Sequence, residues 1–135
     1  MFHLDIADDE WEIERGLGFR TGLAEDGGMI FVFDEPSEQM FVMRDCVIPI
    51  DVVFLDATGA VLAVHEMVPE PPRSEAERAG TEGGEDAYVG RLRGYSSGGE
   101  ASFAIEVRGG TAKACGVVAG DRIQIDLREL QGGTR

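Results

Sequence analysis

Positive charge is what this chain has least of. Its 135 residues carry 12 Lys and Arg against 26 Asp and Glu, a formal net charge of −14. The mean surface potential therefore repels phosphate backbones and anionic headgroups, and nucleic-acid binding is disfavoured. Long apolar runs are missing as well. None approaches the roughly 20 residues needed to cross a bilayer, and no basic segment followed by an apolar one precedes Phe2. The expectation is a soluble chain with no membrane span. Met1 abuts the first predicted strand, as it would had a leader been trimmed. In that case the protein is expected to be periplasmic or secreted, and otherwise cytoplasmic.

Cysteine and histidine are equally sparse. Cys46 and Cys115 have no CxxC spacing, so zinc and thioredoxin-like chemistry are not suggested. They read as two buried thiols, or as one long-range bridge if the fold brings their Cα atoms within about 7 Å. His3 and His65 have no second histidine at strand or helix spacing. No metal and no organic cofactor is expected. The chain also lacks a GxSxG elbow, an HExxH helix, a Walker loop and a GxGxxG turn, which removes the usual nucleophile, zinc and nucleotide routes. Acid pairs are too plentiful to signal glycoside hydrolysis, because some pair will meet the required spacing by accident. Ser96 and Ser97 lie in a glycine-rich stretch without a histidine base near them in sequence.

What is present is β pattern. The run from Cys46 to Asp56 is apolar for nearly its whole length, and Pro49 marks its corner. Asp56 and Gly59 close the strand in a turn that leads to Val61–Val64, a hairpin with a polar connection. Earlier, 2–6 alternates like a half-buried strand, and Asp8-Asp9 can cap a helix from about Glu10 to Leu17. Met29–Phe33 and Met40–Met43 read as strands separated by an Asp34-Glu35-Pro36-Ser37 turn. From Pro69 to Asp86 large apolar residues almost vanish, and a long, mobile acidic loop is expected there. Structure is expected to resume over 87–92, break over 94–99, and return as a strand over 102–107. Thr111 is expected to cap a short helix ended by Gly116, and 131–135 to be a frayed tail. The reading is one mainly β domain over 1–130, an antiparallel β-sandwich or barrel with one or two short helices.

Four blocks give a family resemblance: ERGLGFR at 14–20, GGMIFVFDEP at 27–36, MFVMRDCVIPIDVVFLDATG at 40–59 and FAIEVRGGTAKACGVVAGDRI at 103–123. Together they resemble the bacterial and archaeal domain-of-unknown-function 192 family. The resemblance implies a compact β-rich fold, often exported behind a signal peptide in bacteria, and implies no established activity. Gly18 stands where the family pattern usually has Met, and Arg44-Asp45-Cys46 where it usually has Lys-Asn-Thr. Arg44 keeps the charge of that Lys. The GLGF run at 16–19 also matches the carboxylate-binding loop of PDZ domains, but the chain between it and the GVVAGD turn at 116–121 exceeds a whole domain of that kind.

Three functional readings follow. The first is a small-molecule binding module for an anionic or sugar ligand, its pocket rimmed by Arg15, Arg20 and Arg44 with Phe19, Phe41 and Met43 as apolar walls. Against it, arginines among so many carboxylates commonly tie loops to strands. The second is an enzyme with a carboxylate base, Asp51 being the catalytic candidate because Pro49 can fix its approach. The third is a protein-interaction domain whose partner meets a strand edge or the acidic loop.

Overall fold

The computed structural model describes residues 3–7, 27–78 and 80–123. Five strands form one sheet in the order β1-β2-β5-β3-β4. They are β1 His3–Ala7, β2 Gly27–Phe41, β3 Ile50–Leu55, β4 Val61–Met67 and β5 Tyr95–Arg108. Two short helices, α1 Gly84–Gly90 and α2 Thr111–Cys115, and a 3₁₀ turn at Glu75–Glu77 accompany them. The protein is mainly β and forms a single domain. Strands β2, β5, β3 and β4 pair antiparallel, β1 lies parallel to β2, and the sheet does not close. The expected helix at 10–17 and the tail at 131–135 lie outside the described residues.

Alternation along the strands divides the apolar residues between two faces. Met29 and Phe31 of β2, Ile50, Val52 and Phe54 of β3, and Ala104 of β5 build one core with Met43 and Met67. Ile30, Val53, Leu55 and Phe103 build a second core on the opposite face, where Ala112 of α2 covers them. Every residue of β3 is buried. That is why its sequence is a nearly unbroken apolar run: both faces need filling, and each fully buried large side chain contributes about 1.5–3 kcal/mol.

The first face is closed by the sheet itself. Phe31 and Phe41 sit in the same strand, where a straight course would separate them by about 33 Å, yet their ring centroids are 5.1 Å apart. Phe41 also meets Phe54 edge-on at 5.0 Å. β2 therefore bends back over its own sheet, and its pairing with β5 shows where. Register shifts fall between Val32 and Ser37 and between Glu38 and Met40. The expected turn at 34–37 is thus a bulged bend within one long strand, and all of the expected break at 94–99 except Gly94 belongs to β5, which follows β2 through the bend.

The stretch 69–86, expected to lack any packed element, contains the 3₁₀ turn and the start of α1. Polar anchoring replaces the missing apolar burial. Arg73 grips Asp45 with two bonds, Nε to Oδ1 at 2.8 Å and Nη2 to Oδ2 at 3.0 Å, and reaches Glu85 Oε1 at 2.7 Å. Its guanidinium lies 4.0 Å from the centre of the Tyr88 ring. Arg91 holds Glu77 at 2.8 Å and the carbonyls of Pro71 and Pro72. Residues 87–90, within the stretch where structure was expected to resume, complete α1 and bury Tyr88.

Candidate functional site

The site is assembled where β5 crosses the start of β3. Gly109 donates its N–H to the Pro49 carbonyl at 3.0 Å. A Cβ on Gly109 would sit 2.6 Å from the Pro49 ring, so only glycine permits this approach. The chain then turns through Gly110 into α2. Thr111, expected as the cap, is instead the first helical residue, and the cap position is Gly110, which has no side chain to offer. Asp51 takes over from the neighbouring strand: its Oδ2 accepts the Ala112 N–H at 2.8 Å. A carboxylate at this end of a helix also suits the exposed amide dipoles. The helix closes in a Schellman turn, with Val117 N–H bonded to Ala112 O at 2.9 Å and Gly116 N–H to Lys113 O at 3.1 Å, Gly116 being left-handed at φ 72°.

Asp51 is only 2% exposed, and its second oxygen, Oδ1, is buried without a hydrogen-bond partner. Beside it lies a cleft of about 290 Å³ lined by Asp51, Val64, Glu66, Lys113, Val117 and Val118, with Ala112 and Gly116 at its helical end. Asp51 and Glu66 are directly paired across β3 and β4, so their side chains leave the same face as neighbours. Glu66 and Lys113 are exposed at the rim. No ion pair joins Lys113 to either carboxylate. The cleft thus offers a deep acceptor, a second acceptor at its edge, an ammonium and mostly aliphatic walls.

The sequence-derived candidates are distributed differently. Arg15, Phe19 and Arg20 lie outside the described residues. Arg44 bonds Glu85 Oε2 at 3.2 Å. Met43, 1% exposed, is core, and Phe41 packs among Phe31, Phe33 and Phe54. None of these three lines the cleft, whereas Asp51 does. Asp121 bonds within its own turn, accepting Val118 N–H at 2.9 Å.

The remaining polar chemistry is absorbed by structure. Both cysteines are free, with Cys46 half-buried and Cys115 exposed. Burial, and then the charges of Glu106 and Asp45, push the Cys46 thiol up to about 12, which leaves it un-ionised and a poor nucleophile at neutral pH. His65 Nε2 is 2.7 Å from the Ser96 carbonyl, and its ring packs between Phe54 and Tyr95. Hydrogen bonds from Arg91 and the Ser74 N–H hold the Glu77 carboxyl down at about 2. The described residues contain no cluster of three His, Cys, Asp or Glu side chains able to hold a metal ion, and no helix among them is long and apolar enough to cross a membrane. Glu66 and Lys113 were not legible as site residues. Counting the hairpin register back from the Asp56–Gly59 turn would have placed His65 opposite Asp51, because an irregularity between Phe54 and Leu55 shifts the pairing by one residue.

Comparison with known proteins accords with this fold. The model of the domain-of-unknown-function 192 family, described as an "Uncharacterized ACR", matches residues 1–125. A protein of unknown function from Novosphingobium aromaticivorans superposes with a TM-score of 0.73 at 26% identity, over 92% of this chain and 75% of that one. A proposed transcription regulator from Sinorhizobium meliloti gives a TM-score of 0.70 at 28% identity, over 91% and 81%. No curated protein matches the chain. The chain belongs to the domain-of-unknown-function 192 family.

Proposed function

We propose that this member of the domain-of-unknown-function 192 family is a small-molecule binding module that takes its ligand in the Asp51 cleft. One observation carries the reading: Asp51, which lines the cleft, has its Oδ1 buried with no donor. Leaving a buried acceptor unsatisfied costs about 1–3 kcal/mol, and more when it is charged. A fold that merely needed to cap α2 could do so from a local serine or threonine at the cap position, without this cost. A ligand N–H or O–H placed in the cleft relieves it. The cleft is at the small end of ligand pockets and largely aliphatic, as such sites are.

This reading favours a donor-bearing ligand over the purely anionic one expected for an arginine rim. Regulation through direct DNA contact, which the Sinorhizobium relative's description invites, is opposed by the net charge of −14. Thermal-shift measurements with amines, amino acids and sugars test the proposal. At least one class should raise the melting temperature of the native protein and fail to do so for Asp51→Asn. If no class stabilises the native protein, or if Asp51→Asn responds equally, the cleft is not the site.

A further inference from the structure

Resting on that reading, we infer that the ligand is a small zwitterion of the α-amino acid class with a short aliphatic side chain. The lining divides into three parts with different chemistry. The cross-strand pair Asp51 and Glu66 supplies adjacent carboxylates, one of them with a buried oxygen that lacks a donor. An ammonium brings three donors and a positive charge, so it can satisfy Asp51 Oδ1 and still reach Glu66. A neutral hydroxyl offers a single donor and leaves two neighbouring negative charges uncompensated.

Lys113 is the second part. It follows Ala112, whose N–H is held by Asp51, so its stem starts from the α2 part of the lining, whereas Glu66 comes from β4. A simple amine ligand would meet repulsion from this ammonium and nothing to bond with. A carboxylate on the same ligand turns that repulsion into an ion pair. The Ala112 amide of α2 is already occupied by Asp51, and Lys113 is the positively charged side chain of the lining that can receive an anion. Val64, Val117 and Val118 form the third part, an aliphatic surface that suits a branched hydrocarbon side chain. Val118, 59% exposed, then loses water on binding.

Calorimetric titration of the native protein with L-valine, isobutylamine, isobutyrate and glucose separates the two levels of the claim. L-valine should bind at least about tenfold more tightly than any of the other three, the scale of one charge-assisted contact. Lys113→Met should weaken L-valine about fivefold or more while leaving isobutylamine unchanged or improved, and Glu66→Gln should weaken both. Both changes lie at exposed positions, so folding is retained. Isobutylamine or glucose binding as tightly as L-valine, with Lys113→Met silent, overturns the zwitterion and leaves the cleft as the site. No binding by any of the four overturns the zwitterion and the cleft reading together.

Discussion

The two faces of β3 are built from alternate residues of one strand and yet differ in kind. On one, Ile50, Val52 and Phe54 meet Phe31, Phe41, Met43 and Met67 in a dense core, with the buried Glu106 of β5 paired beside Val52. On the other, Val53 and Leu55 share the surface with Asp51, and a cleft remains between β4 and α2. The first face is closed by a bulged strand that folds over it, and the second by a helix of a single turn. Stability is concentrated where the packing is dense, and a cost is tolerated where the packing is left open. Departures from full burial and full hydrogen bonding are expected at functional sites.

Large-to-small substitutions should separate the faces most strongly. Phe54→Ala is expected to lower the unfolding free energy by about 3–5 kcal/mol, because its neighbours cannot collapse into the space left; urea titration with an unchanged slope checks this. Next comes the polar anchor of 69–93. Arg73→Met removes both Asp45 bonds and the Glu85 pair, and after allowance for solvent screening should cost about 1–2 kcal/mol. Limited proteolysis within 69–86 should accelerate in that variant, while ligand binding at the Asp51 cleft stays as it was. Val117→Ala, on the open face, should cost only about 1 kcal/mol or less, since the side chain is half-exposed beside existing space. Equal losses for Phe54→Ala and Val117→Ala would abolish the distinction between the faces.

The smallest expected effect is in the acid limb. Glu77 ordinarily titrates near 4.5 and is held at about 2. A depressed folded-state value means that its stabilisation is complete above about pH 4.5 and is lost as the pH falls towards 2. Arg91→Ala should therefore flatten the stability profile between those limits by slightly lowering the neutral plateau, with stability near pH 2 left unchanged.

Much of the first face was legible in sequence, and little of the second. The apolar run at 50–55, the Asp56–Gly59 turn and the 61–64 strand follow from residue type, and the turn forms with Asp56 Oδ1 bonded to the N–H groups of Thr58 and Ala60. The bend in β2 was hidden because Asp34, Glu35 and Pro36 suit an exposed bulge as well as a turn. The 69–86 segment was misjudged because hydrophobic counting is blind to Arg73 and Arg91, whose anchoring is electrostatic and aromatic. For the site, counting back from the turn places Asp51 opposite His65. A one-residue irregularity between Phe54 and Leu55 shifts the register and puts Glu66 there instead. No sequence pattern marks that slip, so the carboxylate pair emerges only in three dimensions.

The most direct measurement is the unfolding free energy of Asp51→Asn compared with the native protein in the absence of ligand. Asparagine keeps an oxygen for the Ala112 N–H and removes the buried charge. If the carboxylate is retained for a ligand, the variant should be as stable as the native protein within about 0.5 kcal/mol, or more stable. A loss of about 2 kcal/mol or more would mean that the charge serves the fold itself, and would contradict the functional reading of the cleft.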